Sequence, residues 1–249
     1  MTNKSVVIVG DNLIAKELFY SFQENPQVQM VDLRSGVAHV DVVIETMNLD
    51  KEEKKRRIGE IEASVSPATL ILSTTLGVTA TEVASWLSHP ERLIGFGTFA
   101  NFRKGSLIEV AMPLQAEPRY VQVASDIFSL INQEIELVED EVGMVFPRIL
   151  SMIINEAAFA LTEQTAEAKS IDVAMRKGTN YPMGPFEWSQ EIGLDDIYTV
   201  LNGLYHELGE ERYRPAPLIR KLVYAGWIGG ETDKCFYHYQ NRQNKKLSV

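Results

Sequence analysis

The sequence predicts an α/β domain, built on a doubly wound parallel sheet, followed by an all-α C-terminal domain. Three observations predict it. Short, continuous apolar runs alternate with helical patterns through the first half of the chain, as in a parallel sheet with helices on both faces. The first run, Val6–Val9, ends at Gly10 and opens directly onto a helix. After Val138 strand signals cease, and long amphipathic patterns take over.

Taken in order, Val6–Val9 reads as a fully buried strand, because it is apolar at every position and not at alternate ones. Residues 13–23 carry Ile14, Leu18 and Phe22 on one helical stripe. Val28–Val31 is a second strand ending at Asp32, and Val40–Ile44 a third ending at Glu45. A charged helix follows over Lys51–Ala63, with Ile58 and Ile61 on its inner face. Leu70–Leu72, Leu93–Phe96 and Leu107–Val110 are further strands. Thr79 and Glu82 have the spacing of a capping box at the start of another helix. From Phe146 onward, Ile149, Ile153, Ile154, Ala157, Phe159 and Leu161 form a long apolar helix that must be wrapped by other helices or by a partner subunit. The boundary is placed at Asp140–Gly143, giving domains 1–142 and 143–240 and a polar tail, 241–249.

Composition narrows the functional classes. A net charge of −10 argues against nonspecific binding to nucleic acid or anionic membranes. The chain has one cysteine, Cys235, no signal-peptide layout and no apolar run of membrane-spanning length, so a cytoplasmic protein is expected. Nothing in the sequence calls for a metal.

The string Asn180-Tyr-Pro-Met-Gly-Pro-Phe-Glu-Trp188 is by itself a sharp turn between helices, with Pro185 suited to the first helical position. Its setting says more. It follows Ile171–Gly178 and precedes Ile192–Ile197, Arg214-Pro-Ala-Pro-Leu218, Lys221–Gly226 and Phe236-Tyr237. In that order and spacing the chain resembles the 3-hydroxyacyl-CoA dehydrogenase family, including 3-hydroxybutyryl-CoA dehydrogenases, over nearly its whole length. The resemblance implies a Rossmann-type NAD-binding domain, a helical domain through which the family forms homodimers, and an acyl-CoA substrate. The aromatics Tyr181, Phe186, Trp188, Tyr198, Tyr205, Tyr213 and Trp227 supply material either for such an interface or for an ordinary core.

The cofactor-binding positions are Gly10, Asn12, Asp32 and Glu45. Gly10-Asp-Asn-Leu-Ile-Ala15 stands in the phosphate turn, where glycines let the backbone approach a pyrophosphate. Gly10 is retained and Ala15 replaces the third glycine. Asn12 projects a side chain where a phosphate should lie, and Asp11 adds a negative charge beside it. Asp32 lies about 20 residues beyond Gly10, as an acid that holds adenosine hydroxyls should. As the family implies, Glu45 and Lys54 or Lys55 also lie near the cofactor. The balance leaves NAD binding open. A helical pair that the family inserts before the strand at Val40–Glu45, and that helps cover acyl-CoA, is replaced here by residues 33–39 alone.

The family oxidises its alcohol with a His–Glu pair, a serine and an asparagine. Histidine is suited to the proton transfer by its near-neutral pKa. By local motif the histidine falls at Gly97, the serine at Leu76 and the asparagine at Pro147, while the acid is retained as Glu109 without its partner. Glu109 is either a solvated or hydrogen-bonded remnant or the acid of a different reaction. Histidines 39, 89, 206 and 238 read as surface residues, Thr98 and Asn101 are poor bases, and Thr74 and Thr75 could hydrogen-bond an oxygen but would not take its proton. The expectation is a family member whose standard activity is lost or much reduced. The alternatives are an oxidoreductase acting on another substrate with an unrecognised base, and a non-catalytic dimeric partner or regulatory protein.

Overall fold

The computed structural model describes residues 3–33, 39–101 and 107–247, with side chains through residue 245. The chain divides into two compact units, Met1–Pro147 and Arg148–Val249. Most of the short connection predicted at 33–39 lies outside the described residues.

The first unit runs β1 (Lys4–Val9), α1 (Leu13–Gln23), β2 (Val28–Met30), β3 (Val42–Glu45), α2 (Lys51–Ser64), β4 (Leu70–Thr74), α3 (Ala80–Ala84), β5 (Leu93–Gly97), β6 (Leu107–Ala111), α4 (Arg119–Ser129) and β7 (Glu134–Val138). Its sheet has the order β2-β1-β3-β4-β5-β6-β7. Every residue of β3, β4 and β5 is buried, which explains why these strands read as unbroken apolar runs. Ile14, Leu18 and Phe22 seal α1 against the sheet, and Ile58 and Ile61 do so for α2.

One pairing departs from the expected parallel sheet: β5 and β6 pair antiparallel, with Gly97 opposite Glu109. The connection between them, residues 98–106, is shorter than the dozen or more residues a parallel crossover takes. Parallel pairing resumes between β6 and β7, with α4 as the crossover.

The second unit comprises α5 (Phe146–Thr162), whose first residues fall before the division, then α6 (Ala168–Thr179), α7 (Pro185–Ile192), α8 (Leu194–Leu208), α9 (Pro217–Tyr224) and α10 (Phe236–Leu247). The string Asn180–Trp188 turns the chain from α6 into α7. Asn180 takes the left-handed conformation (φ 59°) that ends α6, and Pro185 opens α7. An added Cβ on Gly184 would stand 2.3 Å from the Asp172 side chain, so only glycine fits there. Asp172 is buried, accepts the Phe186 N–H at 2.8 Å and also accepts the Tyr237 hydroxyl, joining α6, α7 and α10. Residues 241–247, expected as a polar tail, continue α10 instead. Gln, Arg and Lys are good helix formers, so polarity alone does not unwind such a segment. Among the described residues no helix is long and apolar enough to cross a membrane, and no His/Cys/Asp/Glu group is arranged to hold a metal.

Candidate functional site

β1 delivers Gly10 to the sheet's carboxyl edge with φ 149°, a left-handed geometry that L side chains avoid. A Cβ there would also stand 2.1 Å from Thr46 Oγ1. Asn12 is the N-cap of α1. Its Oδ1 accepts the Ala15 N–H at 3.0 Å and the Thr46 hydroxyl at 3.0 Å, and its Nδ2 donates to the Thr46 carbonyl at 2.7 Å. The carboxamide is therefore folded onto the helix end and tied to the segment after β3. It does not project outward as the sequence reading expected, because an N-cap asparagine satisfies amides that the helix itself leaves without partners.

Beside this turn is a cleft of about 620 Å³, lined by Gly10, Asp11, Phe19, Asp32, Met47 and Arg57 among others. Asp11 and Asp32 are exposed. Gly10 and Asp32 thus both line one cleft. Glu45 lies apart from it, fully buried. Its carboxylate takes the Lys54 ammonium at 2.5 Å, the Ser73 hydroxyl at 2.6 Å and the Met47 N–H at 2.6 Å. Lys54 also donates to the Met47 carbonyl at 2.9 Å and to Thr74 Oγ1 at 3.2 Å, and Thr74 donates to Asn48. Of the two candidate lysines, Lys54 is the buried one and Lys55 is exposed. So complete a network makes Glu45 the anchor of Lys54, a fully desolvated pair whose members depend on each other.

At the positions expected to be catalytic, the antiparallel pairing of β5 with β6 brings Gly97 and Glu109 side by side. A Cβ on Gly97 would meet Met144 Sδ at 2.8 Å and Met144 Cγ at 3.4 Å. Met144 is buried and holds a left-handed backbone (φ 50°), uncommon for its residue type. Glu109 was expected either as a solvated or hydrogen-bonded remnant or as the acid of a different reaction. Its two carboxylate oxygens accept the N–H groups of Val145 and Phe146, each at 2.8 Å, at the start of α5. A carboxylate at a helix N-terminus meets unpaired amides and the positive end of the helix dipole.

Leu76 and Pro147 are buried. Thr74 and Thr75 are buried as well, and Thr75 accepts the Gly143 N–H at 3.0 Å through its carbonyl. His39 lies 3.6 Å from Asp41, and His89 lies 3.5 Å from Glu91. His206 Nδ1 is 2.7 Å from the Asn202 carbonyl, and His238 packs edge-on to Trp227. The partners of Glu109 are main-chain amides, not imidazoles. Met144 and the Asn12–Thr46 bridge were missed by sequence reasoning. The bridge had a legible cue, asparagine directly before a helical stripe.

Residues 18–141 match the 3-hydroxyacyl-CoA dehydrogenase NAD binding domain, and residues 143–239 match the 3-hydroxyacyl-CoA dehydrogenase C-terminal domain. The turn at 10–15 precedes the first matched span. A 3-hydroxybutyryl-CoA dehydrogenase from Bradyrhizobium diazoefficiens is 33% identical over 205 residues, covering 82% of this chain and 70% of that protein. A probable 3-hydroxybutyryl-CoA dehydrogenase from Bacillus subtilis is 32% identical over 207 residues, covering 82% and 71%. Two crystal structures share the fold. (S)-3-hydroxybutyryl-CoA dehydrogenase PaaH1 from Ralstonia eutropha has a TM-score of 0.75 at 24% identity, over 94% of this chain and 98% of that one. FadB2 from M. tuberculosis has a TM-score of 0.80 at 19% identity, over 95% and 99%. The chain belongs to the 3-hydroxyacyl-CoA dehydrogenase family.

Proposed function

We propose that this chain keeps the dehydrogenase fold while its standard oxidation of 3-hydroxyacyl-CoA is lost or much reduced. The relationship that carries the reading is the one between Gly97 and Met144. The residue aligned with the base has no side chain, and Met144 fills the space one would enter. Glu109, the aligned acid, is engaged by two main-chain amides. Leu76 and Pro147 offer no side-chain hydrogen bond to a substrate oxygen. Loss of a general base alone costs about 10²–10⁴ in rate.

NAD is the family's cofactor, and it supplies hydride chemistry when bound. Asp32 suits its adenosine end. The phosphate turn does not suit its pyrophosphate, because Asn12 already occupies the helix end and Asp11 adds a like charge. We therefore assign no hydride step to this chain. We further propose that it assembles as a homodimer through its helical unit, where Ile149, Val173 and Tyr224 are exposed apolar side chains.

The test is NADH-dependent reduction of acetoacetyl-CoA by the purified chain, with its mass in solution measured alongside. A rate at the level of the enzyme-free control and a dimeric mass are expected. Ordinary turnover overturns the first part, and a monomer overturns the second.

A further inference from the structure

We propose that the hollow between the end of α9 and α10 is a binding site for a small aromatic carboxylate, with Arg242 and Lys221 taking the carboxylate and Leu222, Ala225 and Tyr239 taking the ring. The site lies within the helical unit and does not depend on the dehydrogenase reading.

Three observations carry it. The first is how the chain builds the hollow. Gly226 takes the left-handed conformation (φ 66°), its N–H donates to the Val223 carbonyl at 3.0 Å, and the Trp227 N–H donates to the Leu222 carbonyl at 2.9 Å. That pair of bonds closes a helix end and folds the next residue back onto its last turn. Trp227 is thereby set beside the end of α9. There the hollow, about 310 Å³, is lined by Lys221 and Leu222 of α9, by Ala225 at its cap, and by Tyr239, Arg242 and Gln243 of α10.

The second is charge. The lining holds two cations and no acid, although the chain as a whole carries a net charge of −10. Among the described residues neither Lys221 nor Arg242 pairs with a carboxylate, whereas Arg176, Arg212 and Arg214 of the same unit each pair with a glutamate. The Arg242 guanidinium instead lies over the Trp227 ring, 5.5 Å from its centroid, and His238 holds the indole edge-on with ring centroids 4.7 Å apart. A guanidinium placed over a ring still presents N–H groups to a carboxylate, two at a time. Its anchoring on the indole also reduces the side-chain freedom lost on binding.

The third is the division between rim and floor. Lys221 and Arg242 are exposed, Trp227 and Tyr239 are half-buried, and Leu222 is buried. The charges therefore stand at the mouth and the apolar and aromatic surface lies beneath them. Such a division suits a ligand with one ionised end and one flat apolar end. A volume at the low end of the range for small-ligand sites fits a single ring. An anion without a ring would meet the cations and leave the apolar floor in contact with water.

The experiment is an NMR titration of the full chain with benzoate, with benzamide as the uncharged counterpart and acetate as the anion without a ring. The chain has three tryptophans, so the indole N–H signals are few, and Trp227→Phe identifies the one beside the hollow. Exposed ion pairs add little each, so benzoate is expected to shift that signal saturably with a Kd of about 0.1–1 mM. Benzamide and acetate are expected to bind about tenfold more weakly or worse. Arg242→Gln should weaken benzoate about tenfold, and Arg242→Lys, which keeps the charge and loses the fork, about threefold. Lys221→Gln should weaken it about threefold as well. Both positions are exposed, and melting temperatures equal to that of the wild type verify that the variants fold. The proposal is overturned if about 10 mM benzoate gives no saturable shift of the Trp227 signal, or if acetate or benzamide binds within about twofold of benzoate. It is also overturned if neither Arg242→Gln nor Lys221→Gln weakens benzoate by more than about twofold.

Discussion

Gly97 and Met144 compete for one space: a Cβ built on the glycine would stand 2.8 Å from the methionine sulfur. A histidine restored at 97 therefore has no room until Met144 yields. Gly97→His is expected to destabilise the protein by about 1–3 kcal/mol through overpacking, and Gly97→His with Met144→Ala is expected to recover part of it. Denaturant unfolding of the two singles and the double measures the coupling, and strict additivity would show that the two positions do not compete. The same steric argument bears on rescue of activity. Gly97→His with Leu76→Ser and Pro147→Asn should stay inactive until Met144→Ala is added and dinucleotide binding is in place.

Glu109 acts here as a clamp on the start of α5. Glu109→Ala removes the acceptor for two main-chain amides and is expected to cost about 1–2 kcal/mol, and Glu109→Gln less, since one oxygen still accepts. Thermal unfolding reads both. Equal stability of wild type and Glu109→Ala would remove the clamp from the account.

The Glu45–Lys54 pair makes a different prediction. Both side chains are buried, so removing one strands the other: Lys54→Met is expected to cost about 3–5 kcal/mol. Adding Glu45→Gln should return much of that loss, because the stranded charge is gone. If Lys54→Met proves neutral, Lys54 is not desolvated as described.

Asp172 sets a pH dependence. Burial pushes its carboxyl above the ordinary aspartate value of 3.8, outweighing the Tyr237 hydroxyl and the Phe186 N–H that favour the charged form. The folded chain thus keeps this proton over a pH range where the unfolded chain has released it. The contribution of Asp172 to stability is greatest at low pH and declines as pH rises through that range. Asp172→Asn cannot titrate, so the melting-temperature difference, wild type minus variant, should fall between acid and neutral pH. A difference that is flat or rising would contradict the assignment.

Much of the first unit was legible because its signals are local. The stripe Ile14, Leu18, Phe22 and the unbroken apolar runs of β1, β3 and β4 are each read within a few residues. The direction of β6 was not legible, since an apolar run carries no mark of whether its neighbour runs with it or against it. At the candidate site, local motifs point to Gly97 and Glu109 but carry nothing of what surrounds them. Met144 lies far along the chain from Gly97, and contacts between such distant positions leave no periodic trace. The orientation of Asn12 was not legible from the turn motif alone: an asparagine there can project outward or cap α1, and here it caps α1.

The most direct measurement is the rate at which the purified wild-type chain oxidises NADH with acetoacetyl-CoA. A chain without a base at position 97 should turn over at or below about 0.1 s⁻¹, a hundredfold or more under the typical enzyme value of about 10 s⁻¹. A rate near that typical value, retained in Glu109→Gln or not, would mean that another group takes the proton and that the catalytic positions have been read wrongly.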